Sequence, residues 1–125
     1  MRRLWAIPIL SLLLAFFCVY PLREVDAFCT DADVRLRQCM LLADTDLDRA
    51  TEEARIVCQE FDRWQSRARI FLRHAEITPV CESMAELSAA MDIGDADEFY
   101  MACCRVQALL IHLAEHERLS WGNLL

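Results

Sequence analysis

Lysine is absent from the 125 residues, so all 13 basic side chains are arginines. Glycine occurs twice, at Gly94 and Gly122, and proline three times, at Pro8, Pro21 and Pro79. Neither occurs between Phe28 and Thr78. That stretch also has few β-branched residues, which excludes glycine- and proline-built turns and leaves strands without support. The single asparagine, Asn123, precedes Leu124 and Leu125, so there is no glycosylation sequon. No two cysteines have C-x-x-C spacing, which argues against zinc-knuckle and thioredoxin-like centres. Positive charge is scarce: 13 basic residues face 20 acidic ones, for a net charge of −7. Such a chain repels phosphate backbones, so no nucleic-acid partner is expected.

What is present begins with Met1-Arg2-Arg3 and an apolar run, LWAIPILSLLLAFFCVY, over residues 4–20. PLREVDA follows, with Val25 and Ala27 three residues and one residue before a candidate cut ahead of Phe28. This is the pattern of a secretory signal peptide over residues 1–27, and Pro8 and the small residues at the cut favour removal. The rival reading is an uncleaved anchor. Residues 4–22 supply 19 mostly apolar positions, close to the ~20 needed to span a bilayer. Arg2 and Arg3 would then stay cytoplasmic. Either way the remainder is expected outside the cytosol, secreted and extracellular, with a membrane contact only if the segment is retained. Residues 28–125 number 98, enough for one domain. They carry 10 arginines against 18 acids, a net charge of −8.

The apolar positions Leu36, Met40, Ala43, Leu47, Ala50, Ala54, Val57, Phe61, Trp64, Ala68, Phe71 and Ala75 alternate steps of four and three, a heptad seam. Half of its inner positions are small, so helices can approach closely. Thr30, with Asp33 three residues on, reads as a helix start. An unbroken rod over residues 30–75 would be roughly 70 Å long, which suits only a homodimer. A turn at residues 44–46, capped by Asp44, Thr45 or Asp46, is therefore expected, with a second bend near WQSRA. Thr78 and Pro79 then start a third helix with Val80, Met84, Leu87 and Met91 on one face. Gly94 stops it, and Asp95 with Glu98 starts a fourth. That helix lines Phe99, Cys103, Val106, Leu110 and Leu113 inward, with Leu109 beside them. It is expected to end near Arg118, leaving SWGNLL as a tail. The fold class is all-α, a small four-helix bundle.

Cys18 lies in the apolar run, leaving Cys29, Cys39, Cys58, Cys81, Cys103 and Cys104. An even count in a short exported chain predicts three disulfides stapling the bundle. Cys103 and Cys104 are adjacent and point about 100° apart on a helix, so they should reach different partners and make the fourth helix a hub. Counting outward from the expected turns favours Cys29–Cys58, Cys81 with one of the pair, and Cys39 with the other. Six cysteines on a short helical chain are similar in plan to elicitins and insect odorant-binding proteins, but the spacings differ and nothing is carried over.

Two motifs bear on function. HLAEH places His112 and His116 one turn apart, resembling the H-x-x-E-H motif of inverted zinc proteases with Glu115 inside it. After His116 the only potential ligand is Glu117. Solvated histidines are the expectation, with no metal, no cofactor and no catalytic residue. RWQSRARIFLRH gathers Arg63, Arg67, Arg69, Arg73 and His74 without an acid. Like charges four apart weaken a helix slightly, and arginine forks suit carboxylates or anionic glycans. The alternative is pairing with Asp92, Asp95, Asp97 and Glu98. Met40, Met84, Met91 and Met101, with Phe61, Trp64, Phe71 and Phe99, offer material for a small hydrophobic ligand. The leading expectation is a secreted, non-enzymatic protein that binds a protein receptor or other macromolecule through the arginines. The alternative is a carrier of small hydrophobic ligands.

Overall fold

The computed structural model describes residues 2–70 and 72–124. Its first helix, α1 (Arg2–Leu42), runs without interruption from the arginines through the apolar run and the candidate cut to the first turn. Three more helices follow among the described residues, α2 (Leu47–Ala68), α3 (His74–Ile93) and α4 (Ala96–Leu124), with no strand. The all-helical, four-helix architecture is therefore as the sequence predicts. Short connections make neighbours antiparallel. α1 packs on α2 and α4, α3 packs on α4, and the α2–α3 contact is the sparsest of the four.

α1 has two halves of different character. Residues 4–17 and 19–20 are exposed all round, whereas Pro21, Val25, Cys29, Ala32, Leu36 and Cys39 form a buried stripe at helical spacing. Thr30 is exposed inside this helix rather than at its start, because the helix was nucleated long before it. On α2 the stripe is Ala50, Ala54, Val57, Phe61, Trp64 and Ala68, which is the expected seam. Met40 and Leu47 are half-buried, Ala75 is exposed, and Phe71 lies outside the described residues. Alanines on α2 bring the backbones close, and Phe28 fills the wider level by stacking on Trp64 at 4.3 Å between ring centres and 6° between planes.

The turns follow local chemistry. The Leu42 carbonyl accepts from Thr45 N (3.2 Å) and Asp46 N (2.8 Å), and Asp46 Oδ1 accepts from Arg49 N at 3.2 Å, capping α2. Gly94 takes the left-handed conformation (φ 77°) that closes α3, and Asp95 Oδ1 accepts from Asp97 N at 2.9 Å to open α4.

Two boundaries differ from expectation. α3 starts at His74, so Pro79 lies inside the helix, and the Thr78 hydroxyl donates to the His74 carbonyl at 2.7 Å. An inner Pro costs a hydrogen bond, here on the exposed turn at Ala75. Burial of Leu72 and Ile77 on either side of the new start offsets it. α4 continues through SWGNL to Leu124.

Phe61, Trp64 and Phe99 are at most 2 % exposed, so the aromatic material is spent on the core. Ser83 is buried with its hydroxyl unpartnered among the described residues. A buried hydroxyl without a partner destabilises. Ser83→Ala is therefore expected to raise stability by about 1 kcal/mol. Phe61→Ala should lower it by roughly 3–5 kcal/mol. Chemical denaturation followed by circular dichroism measures both.

Candidate functional site

The four arginines collect at one end of the bundle. Because α2 runs antiparallel to α1 and Trp64 stacks on Phe28, six residues onward to Ile70 match six residues back to Leu22. Arg67, Arg69 and Ile70 thus stand level with the point where the apolar half of α1 leaves the bundle. Arg63 and Arg67 are exposed on α2, Arg69 caps its C-terminus, and Arg73 is the N-cap of α3. Among the described residues none of the four guanidinium groups forms an ion pair. The acids proposed to neutralise them lie around the α3–α4 turn, separated by the 20 residues of α3, about 30 Å. Ile70 is 87 % exposed beside them. On α4, Arg118 pairs with Asp26 of α1 at the same end, and exposed Leu119 follows.

The cysteines form no disulfide: all seven are free thiols and none is at bonding distance from another. The three expected bridges are absent from this structure, and for those of Cys29 and Cys81 the reason is rotation rather than level. Cys29 is next to Phe28, which meets α2. One residue on, about 100° round the helix, Cys29 instead joins Asp26, Thr30, Ile111 and Arg118 in a groove against α4. Cys81 lies 3.2 Å from Gln65 Oε1 and shares the α2–α3 groove with Cys58, away from the adjacent pair. Cys103 is fully buried near Cys39 and Cys58, while Cys104 Sγ approaches Met40 Sδ of α1 at 3.4 Å. The adjacent cysteines do point in different directions, as helical geometry requires.

The histidine pair gains a companion that the sequence reading missed. His116 Nδ1 is 3.4 Å from Glu76 Oε1 of α3, and one donor atom from each of Glu76, His116 and Glu117 lies within 4.8 Å of the others. His112 lines the same cavity of about 240 Å³ as Glu76 and His116. Counting from Gly94 would have found it, since Glu76 is 18 residues before and His112 18 after. Glu115 belongs instead to the groove against α1, with Cys29 and Arg118.

Comparison with protein-family models, with curated proteins and with solved structures finds no match to this chain.

Four of the thiols, those of Cys29, Cys39, Cys58 and Cys103, are poor nucleophiles. Burial, helped by the Asp26 carboxylate, pushes Cys29 from the ordinary 9.0 up to about 12. Burial with Glu53 raises Cys39 to about 11, and burial with Asp62 raises Cys58 to about 11. Cys103 is raised too, by burial and by the neighbouring thiols. Between these values and the unfolded one, the folded chain holds protons that the unfolded chain has released. Their contribution is complete below about pH 9 and lost as pH rises through about 11. The urea midpoint is expected to fall across that alkaline window, and to fall less in Cys39→Ala. An equal fall in both would show that other groups control it.

Proposed function

We propose that this chain is a non-enzymatic, membrane-anchored binding protein. Residues 4–22 cross the bilayer, and the helical bundle stands on the exocytoplasmic side with its arginine-bearing end against the lipid headgroups. The observation that carries this reading is the continuity of α1: the helix is long and apolar enough to cross a membrane and enters the bundle core without a break.

Each part of α1 supports it. A helix that docks on protein needs one apolar stripe, whereas residues 4–20 are apolar on nearly every side and exposed. Residues 4–22 extend about 28 Å, close to a hydrocarbon core of ~30 Å. Trp5 and Tyr20 stand near the two ends, where amphipathic rings favour the interface. Arg2 and Arg3 flank one end and Arg23 the other. Pro8 is tolerable in a spanning helix, where local adjustments satisfy the freed carbonyl.

Retention of the segment also suits the core. A cut after Ala27 would remove Val25, which is 0 % exposed, and buried Pro21. It would also remove Asp26, the partner of Arg118. Arg67, Arg69 and Arg73 are then placed to pair with lipid phosphates, for which the guanidinium fork is suited, and Ile70 to dip among the headgroups. The remaining acidic surface is left to a protein partner. The raised thiol pKa values and the turned-away Glu115 accord with a protein that works by contact.

The signal-peptide pattern favours a second reading, a secreted ligand that starts at Phe28 and meets its receptor through the same arginines. Both forms meet an oxidising compartment, which would supply the oxidant for one disulfide among Cys39, Cys58 and Cys103, the third thiol staying free. Intact-mass measurement and alkaline carbonate extraction separate the two. The anchored reading expects the full 14.5 kDa chain to stay with the membrane pellet. A chain beginning at Phe28 in the medium would reject it. For the secreted form, Arg67→Glu with Arg73→Glu should abolish receptor binding at unchanged far-UV circular dichroism.

A further inference from the structure

The corner where the start of α3 meets the last turns of α4 holds ligand groups from two helices. Glu76 Oε1 faces His116 Nδ1 at 3.4 Å, and all three donor atoms of Glu76, His116 and Glu117 lie within 4.8 Å of one another. Glu76 is oriented from behind, because its other oxygen accepts from the Arg73 backbone N–H at 3.4 Å. This is the outer contact that fixes a ligating carboxylate. His112, one turn before His116, lines the same cavity with Pro79, Val80 and Leu113. The two imidazole rings are 6.5 Å apart, centre to centre.

We propose that this corner binds one zinc-class divalent cation, with Glu76, His116 and Glu117 as ligands and His112 completing the set after a side-chain rotation. The geometry fits the ion. Tetrahedral zinc with ligands at about 2.0–2.1 Å spaces its donor atoms roughly 3.4 Å apart, the separation found between Glu76 and His116. Imidazole with carboxylate suits zinc over calcium or magnesium, which prefer all-oxygen sets. The competing account of the same contact is a simple histidine–carboxylate pair, which needs neither Glu117 nor His112 nearby.

The role of the ion follows from what surrounds it. Glu115, the residue that a protease of the H-x-x-E-H type would use as base, opens onto the opposite groove with Cys29 and Arg118. It does not reach a water on this ion. The cation instead ties the start of α3 to the last turns of α4. It is a clamp.

The test uses the full chain in detergent micelles, stripped with chelator and kept reduced. Zinc is titrated by calorimetry, and cobalt(II) serves as a spectroscopic probe because free thiols also bind zinc. One equivalent per chain is expected, with cobalt d–d bands and no thiolate charge-transfer absorption. Glu76→Gln and His116→Asn should each weaken binding by at least about tenfold, while Glu115→Gln leaves it unchanged. His116 is exposed and Glu76 lies at a helix start, so far-UV circular dichroism of both variants should match the parent. No stoichiometric binding, a thiolate band, or unchanged affinity in well-folded Glu76→Gln and His116→Asn overturns the proposal.

Discussion

Val25, Cys29, Ala32, Leu36 and Cys39 form the stripe by which α1 takes its place between α2 and α4, and they lie on the same unbroken helix as the apolar run before them. Pro21 and Val25 share this stripe because the helix is continuous through residues 21–27, and a break there would turn Val25 away from the core. Everything else is placed by this helix. α2 is set in register by the Phe28–Trp64 stack, and α4 is held along the other side from Met40 to Asp26. α3 reaches the bundle chiefly through α4. The apolar half of α1 therefore projects in a direction fixed by the core, from one defined end of the molecule.

That end concentrates the unusual surface. Arg67, Arg69 and Arg73 come to it because α2 ends and α3 begins there, and Ile70 is carried to the tip of the same turn. The charge cluster costs a few tenths of a kcal/mol on an isolated helix. It is explained if the end faces phosphates. The acidic groups around Asp92 to Glu98 are at the far end, so the molecule is polar along its long axis, basic near the apolar helix and acidic away from it.

The thiols show how strongly rotation about a helix governs which side chains meet. Cys29 has the axial level expected for a partner on α2, yet faces α4. Counting from the turns pairs Cys39 with one of the adjacent cysteines, and Cys39 lies near Cys103. A step of one residue changes the direction of a side chain by about 100° and its height by only 1.5 Å. Counting residues from a turn captures height alone. The same count applied to Gly94 would have brought Glu76 to His112, because there both residues face the seam between α3 and α4.

The sequence by itself determined the helical class, the turns at Asp46 and Gly94, the inner stripes of α2 and α4, and the apolar run that precedes them. Each is a matter of local chemistry: a capping carboxylate, a residue without a side chain, a repeat of four and three. Only the tertiary structure decided that α1 passes through the candidate cut, that α3 begins ahead of Pro79, which thiols face one another, and that Glu76 joins the histidines. These depend on which face of a helix is buried and against what. At the start of α3, packing of Leu72 and Ile77 outweighs the local signal of Thr78 and Pro79 for a later start.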